Sequence, residues 1–288
     1  MKVSLIVSTY NRPDALKLCI MSAITQSVPP DEIIIGDDGS TQETHRMIEN
    51  LQQLTSTPII HIWQEDKGFR LAMMRNKSVV ASSGDYIIEI DGDLILHRDF
   101  IKDHIKFSKS RHYISGGRTY LSKEFSERLC NEGKLRNLNF LSPGIENKRE
   151  YCLRIPMFSR IFASKYRKDR HGLGCNLSFF KKDFIEINGY DENFEGYGYE
   201  DNDLESRLKN NGIKKQYLKF CAITFHLWHR ESDMNNIDNN RLTYLQTKER
   251  HKVRCRDGVD KYLEGEVEVA EEGVVGGRAD DESVGDKG

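Results

Sequence analysis

The sequence predicts an α/β fold with a mostly parallel sheet, and three observations carry this. Residues 3–8, 32–36, 59–64 and 86–90 are short apolar runs dominated by Ile and Val. The stretches between them, 15–26, 41–54 and 69–81, carry apolar residues at helical spacing. Strand, helix and strand alternating at this pitch is the pattern of βαβ units. With 288 residues, 38% of them hydrophobic, the chain can build a substantial core.

The elements follow in order. Residues 3–8, Val-Ser-Leu-Ile-Val-Ser, give a β-branched strand ending in the polar loop Thr9-Tyr10-Asn11-Arg12. Pro13 stands where a helix should begin. The second strand runs into Asp37-Asp38-Gly39-Ser40, and the fourth runs into Asp91-Gly92-Asp93. Ligands of such sheets bind beyond the carboxyl ends of the strands, so one cleft is expected to hold all three polar groups.

Past residue 110 the alternation breaks down. Residues 172–180 read as loop and strand, 183–187 as a short helix, and 204–211 as a helix led in by Gly196-Tyr-Gly-Tyr-Glu-Asp-Asn-Asp203. Residues 219–225 read as a strand ending at His226-Leu-Trp-His229. The organisation expected is a first half over 1–110, a second over 111–263, and an acidic, disordered tail over 264–288.

Charge and cysteine usage narrow the function classes. The formal net charge is -2, but residues 264–288 hold nine acids against two bases, leaving the rest of the chain mildly basic. That suits an anionic ligand, phosphate above all, without implying a nucleic-acid partner. Six scattered cysteines with no C-x-x-C pair read as reduced and structural. No apolar run approaches the roughly 18 residues of a membrane span. The start has no signal-like segment, so a cytoplasmic location is expected.

Each motif has a chemical reading and a plainer one. Asp91 and Asp93, two apart at a strand end, can share a side of the chain, and Gly92 leaves space for a ligand to approach the backbone. Hard cations such as Mg²⁺ or Mn²⁺ take such oxygens; the alternative is an ordinary acidic turn. His226 and His229 can share one metal, or they pack as a hydrogen-bonded aromatic edge. Glu200 and Asp201 offer a carboxylate to take a proton from a hydroxyl. They otherwise serve the helix start, where Asp203 is expected to cap. Asp38 is a turn residue or a nucleotide contact. Arg70 and Arg75 are solvated helix cations or phosphate forks. Residues 148–171 carry eight Lys and Arg against Glu150 and Asp169, interleaved with aromatics. That stretch reads either as peripheral docking on an anionic membrane or as a solvated helix or loop, and Pro156 interrupts any single helix.

Taken together and in this order, Val3-Ser-Leu-Ile-Val-Ser-Thr-Tyr-Asn-Arg12, Gly36-Asp-Asp-Gly-Ser40, Gly68-Phe-Arg-Leu-Ala72, Arg75-Asn76 and Asp91-Gly-Asp93 resemble family 2 glycosyltransferases of the GT-A fold. Gly189-Tyr-Asp-Glu-Asn-Phe194 and Gly196-Tyr-Gly-Tyr-Glu-Asp-Asn-Asp203 resemble a galactosyltransferase-type module, also found in chondroitin-polymerase-type enzymes. The resemblance covers about residues 1–250. It implies that Thr9, Tyr10 and Arg12 frame a uridine, Asp38 contacts uracil or ribose, and Asp91 lies near the ribose. It implies that Asp93, His226 and His229 hold Mn²⁺ (or Mg²⁺), that Glu200 holds the sugars, and that Asp201 is the catalytic base. Two positions depart from the module: Tyr199 replaces a Gly, and Tyr197 replaces a Trp.

The function expected is an inverting, metal-dependent transfer of a hexose or N-acetylhexosamine from a UDP-sugar. The acceptor would be a saccharide or lipid-linked saccharide of a bacterial surface polysaccharide or lipopolysaccharide. Arg70 or Arg75 would neutralise charge building on the leaving phosphate. A nucleotidyltransferase is the first alternative, but 8–12 lacks the glycines of its phosphate loop. A non-catalytic nucleotide- or carbohydrate-binding module is the second, but it has no need of Asp201 and the metal set together.

Overall fold

The computed structural model describes residues 1–159, 174–230 and 234–263. Within them run β1 (Val3–Thr9), α1 (Pro13–Ile24), β2 (Glu32–Asp37), α2 (Gln42–Gln52), β3 (Ile59–Trp63), α3 (Leu71–Ala81), β4 (Tyr86–Asp91) and β5 (Leu94–Leu96). Next come α4 (Phe100–Phe107), β6 (His112–Gly116), β7 (Thr119–Leu121), α5 (Lys123–Glu132) and β8 (Ile145–Asn147). After these lie β9 (Asn176–Phe180), α6 (Lys181–Glu186), α7 (Glu200–Asn210), β10 (Lys214–Leu218), β11 (Thr224–His226), α8 (Ile237–Glu249) and α9 (Asp260–Leu263). The acidic tail and residues 160–171 of the basic stretch lie outside the described residues.

The central sheet is ordered β10-β6-β9-β4-β1-β2-β3. Only β9 runs antiparallel to its neighbours, β4 and β6; the remaining pairs are parallel. Every residue of β1 and β2 is buried, as expected where a parallel sheet is covered on both faces. Alternation along β1 divides the core. Leu5 and Val7 join Leu16, Ile20 and Phe100 on one side, and Ile6 joins Met74, Phe184 and Leu204 on the other. Four strands come from before residue 110 and three from after it, so both halves of the sequence share one sheet.

A second sheet, β5-β11-β7-β8, stands beside the first. Its core joins Ile95, Leu121, Phe125, Leu129, Phe225 and Leu227 to Ala15 and Leu18 of α1. α5 is set by Ser122, whose hydroxyl accepts from the Phe125 amide, and by Gly133 in the left-handed region at its end.

Three local expectations need correction. Residues 219–225 are not one strand: Phe220 and Ala222 take positive φ, so the chain bends from the central sheet into β11. Asp203 does not cap its helix. The helix already begins at Glu200, and Asp203 is buried against Arg207, whose Nε donates to it at 2.7 Å. Gly92 leaves no open space on its Cβ side, where a Cβ would stand 3.0 Å from the Ser8 carbonyl oxygen, which the Gly92 amide already bonds at 2.8 Å.

Candidate active site

The parallel register brings the polar groups together. Ser8 pairs with Asp91, and Thr9 with Asp37, so β1, β2 and β4 end at one edge. Thr9 accepts from the Asp38 amide through its carbonyl at 3.1 Å. Asp38 is buried and accepts from Gln64 Nε2 at 2.5 Å and from the Arg70 amide at 2.7 Å. Burial pushes its carboxyl above the usual range although both bonds oppose this. Tyr10 is exposed and donates to Asp66 at 2.8 Å. The Arg70 guanidinium bonds the Glu65 carbonyl and the Met73 sulfur.

Two loops then meet. The turn after β4 carries Asp93, and the end of β11 carries His226, with His229 three residues on. Leu94 pairs with His226 across β5 and β11, and the Leu227 amide donates to the Asp93 carbonyl at 2.9 Å. Asp93 Oδ2 therefore lies 3.6 Å from His226 Nε2, 3.3 Å from His229 Nε2 and 3.0 Å from Arg12 Nη1. One ligand atom from each of Asp93, His226 and His229 falls within 4.8 Å of the others.

This donor set fits a divalent cation. Asp93 Oδ1 is buried with no hydrogen-bond partner among the described residues, while Oδ2 faces the nitrogens of Arg12, His226 and His229. Burial and the nearby Arg118 and His229 push His226 down to about 3, so its imidazole is neutral and keeps a lone pair to donate. One carboxylate oxygen and two imidazoles suit Mn²⁺ or Zn²⁺ better than an all-oxygen cation such as Ca²⁺. A cavity of about 510 Å³ opens beside the triad, lined by Arg12, Glu127, Asn131, Trp228 and His229 among others.

A second cluster centres on Arg75. Its side chain is only 2% exposed. Nε lies 3.0 Å from Glu89 and Nη2 lies 3.1 Å from Asp91. Nη1 lies 2.7 Å from Asp201 and 3.5 Å from Glu200. Burial alone would lower the pKa of Arg75, but Tyr190 and the surrounding acids more than offset it, and the guanidinium stays charged. Arg75 is thus committed to carboxylates and presents no free fork to the cleft edge. Asp201 also accepts from the Gly174 amide at 2.9 Å. Burial and the adjacent Asp201 hold the Glu200 carboxyl well above its ordinary range. Burial pushes Glu89 up to about 7 even though Arg75 and the Tyr190 hydroxyl, which donates to it at 2.6 Å, favour the anion.

Sequence reasoning missed Glu89, Tyr190, Gly174 and Arg118. Glu89 did leave a signal, since a lone acid inside the apolar run 86–90 needs a buried cation. Gly174 gave none; it matters because a Cβ there would stand 2.1 Å from Asp201 Oδ1.

Comparison with known proteins adds the following. The family described as "Glycosyl transferase family 2" matches residues 4–187, and that described as "N-terminal domain of galactosyltransferase" matches residues 156–230. The chain is 26% identical to an Escherichia coli chondroitin synthase over 227 residues, which is 73% of this chain and 32% of that protein. It superimposes on a mannosyltransferase of Pyrobaculum calidifontis, in complex with GDP-Man and Mn²⁺, with a TM-score of 0.56 at 14% identity. That match covers 85% of this chain and 61% of the other. S. aureus TarS in complex with UDP-GlcNAc aligns with a TM-score of 0.57 at 16% identity, covering 81% and 60%. The chain thus spans about a third of the synthase and under two thirds of either solved structure.

Proposed function

The chain belongs to glycosyl transferase family 2 and has the GT-A fold, and from that premise we propose that it moves a hexose or N-acetylhexosamine from a UDP-sugar to a saccharide acceptor with inversion. The observation carrying this is the approach of Asp201 to Asp91 across one guanidinium, beside the Asp93, His226 and His229 group. A candidate base thus stands next to a candidate diphosphate site.

In this reading Thr9, Tyr10, Arg12, Asp38 and Arg70 frame the nucleoside, and Asp91 faces its ribose. Asp93, His226 and His229 would hold Mn²⁺, which would supply charge neutralisation to the departing diphosphate. Asp201, oriented by Arg75 and by the Gly174 amide, takes the proton of the attacking acceptor hydroxyl. Glu200, held protonated by burial, can donate a hydrogen bond to a sugar oxygen. Attack from the side of Asp201 on the anomeric carbon, with the diphosphate leaving from the opposite face, inverts configuration. No covalent sugar–enzyme bond is required.

The acceptor proposed is a bacterial surface polysaccharide or its lipid-linked precursor, by likeness to the chondroitin synthase. Among the described residues no helix is long and apolar enough to cross a membrane. Membrane contact, where it occurs, is proposed to be peripheral, through the basic stretch of residues 148–171. The test is UDP release across a panel of UDP-sugars with Mn²⁺ and then with chelator, together with Asp201→Asn. Release with one sugar class, lost on chelation, is expected. In Asp201→Asn, transfer should fall by about 10²–10⁴-fold while UDP still binds. No release with any UDP-sugar would defeat the reading.

A further inference from the structure

The cleft is rich in acids, and a nucleotide-sugar is a polyanion, so uncommitted cations should mark where its charge goes. Arg12 is committed to Asp93 and Arg75 to four carboxylates. Buried Arg207 is paired with Asp203, and Arg154 with Asp99 and Asp103. Arg118 differs. It is half-buried between β6 and β7, yet forms no ion pair with a carboxylate among the described residues. Its Nε donates to the Tyr120 hydroxyl at 2.8 Å and its Nη1 to the Cys175 sulfur at 3.3 Å. Neither partner is a carboxylate, and burial pushes the Cys175 thiol up to about 12.

Its surroundings place this guanidinium near the candidate metal group. It lies 5.1 Å from the centre of the Tyr120 ring, whose own centre is 5.3 Å from that of His226. Lys148, exposed and likewise without an ion pair among the described residues, stands 4.8 Å from the same Tyr120 ring. Two cations thus flank one phenol beside the candidate metal group. Holding a guanidinium partly out of water with no carboxylate in ion-pair contact, only the longer-range charge of Asp91 and Asp93, is costly unless an anion joins it.

We propose that Arg118, with Lys148 as an outer cation, is an oxyanion-binding site for the donor, taking either a diphosphate oxygen or the carboxylate of a uronic-acid sugar. Both groups present the planar pair of oxygens that a guanidinium fork matches. The inference rests on the donor reading above and adds a residue that neither the motifs nor that reading assigns.

The test is calorimetric binding, with Mn²⁺ present, of uridine, UDP, UDP-glucose and UDP-glucuronate to wild type, Arg118→Met, Arg118→Lys and Lys148→Met. If the diphosphate is the anion, Arg118→Met weakens UDP and both UDP-sugars alike by roughly 10- to 100-fold and leaves uridine unchanged. If the sugar carboxylate is the anion, only UDP-glucuronate weakens by that factor. Arg118→Lys should recover part of the loss, and Lys148→Met, on the surface, should weaken the same ligands a few-fold. The exposed Lys148 variant keeps the test valid should Arg118→Met fail to fold. Unchanged affinities in both the Arg118→Lys and Lys148→Met variants, or an equal loss for uridine, would overturn the proposal while leaving the donor reading intact. A wild type that binds none of the UDP species would overturn both.

Discussion

Arg75 Nη1 lies 2.7 Å from Asp201 Oδ1, joining residues 126 positions apart. The same guanidinium reaches Asp91 at the end of β4, so one buried cation ties the strand that would face the donor to the helix that carries the candidate base. Replacing it separates placement from charge. Arg75→Lys should lower kcat by about 10²-fold with little change in donor KM, since a small misplacement of a base has that effect. Arg75→Met, which leaves four carboxyl groups without a cation, should cost about 3–5 kcal/mol in denaturant unfolding. An Arg75→Lys enzyme with normal kcat would remove the positioning role.

Gly174 offers an independent handle on the same base. A methyl group there would overlap the Asp201 carboxylate, which must then swing away from Arg75. Gly174→Ala is expected to retain UDP binding and lose roughly 10²-fold in transfer. Full transfer by this variant would mean that the position of Asp201 is not critical.

Glu89 predicts a pH dependence of stability. Its pKa is about 7 in the fold against an ordinary value of 4.5, so the native state favours the protonated form. The stability from that proton is complete below about 4.5 and is lost as pH rises towards about 7. The Glu89→Gln variant has no such titration. Thermal melting of both proteins over this range should show wild type losing Tm relative to the variant as pH increases. Parallel curves would contradict the buried, protonated carboxyl.

Much of this was legible in the sequence. The apolar runs at 3–8, 32–36 and 86–90 marked strands because a doubly covered sheet buries every residue of such a run. The polar turns after them marked one edge because parallel strands end on the same side. Other features were not legible, since they depend on contacts distant along the chain. The commitment of Arg75 to four acids depends on α7 docking against β4, and no local pattern reports that. The bend at Phe220 and Ala222 is a choice of positive φ by residues that usually avoid it, so the run 219–225 looked extended. Arg118 follows two glycines with nothing nearby in sequence to mark it.

The convergence of Asp93, His226 and His229 on one cation is tested most directly by titrating Mn²⁺ into the protein and reading free Mn²⁺ by electron paramagnetic resonance. Wild type with UDP present should take up one equivalent. Asp93→Asn and His229→Ala should each weaken it by 10-fold or more, with activity falling in step. Uptake unchanged in both variants, or transfer that persists undiminished in excess chelator, would contradict the shared site.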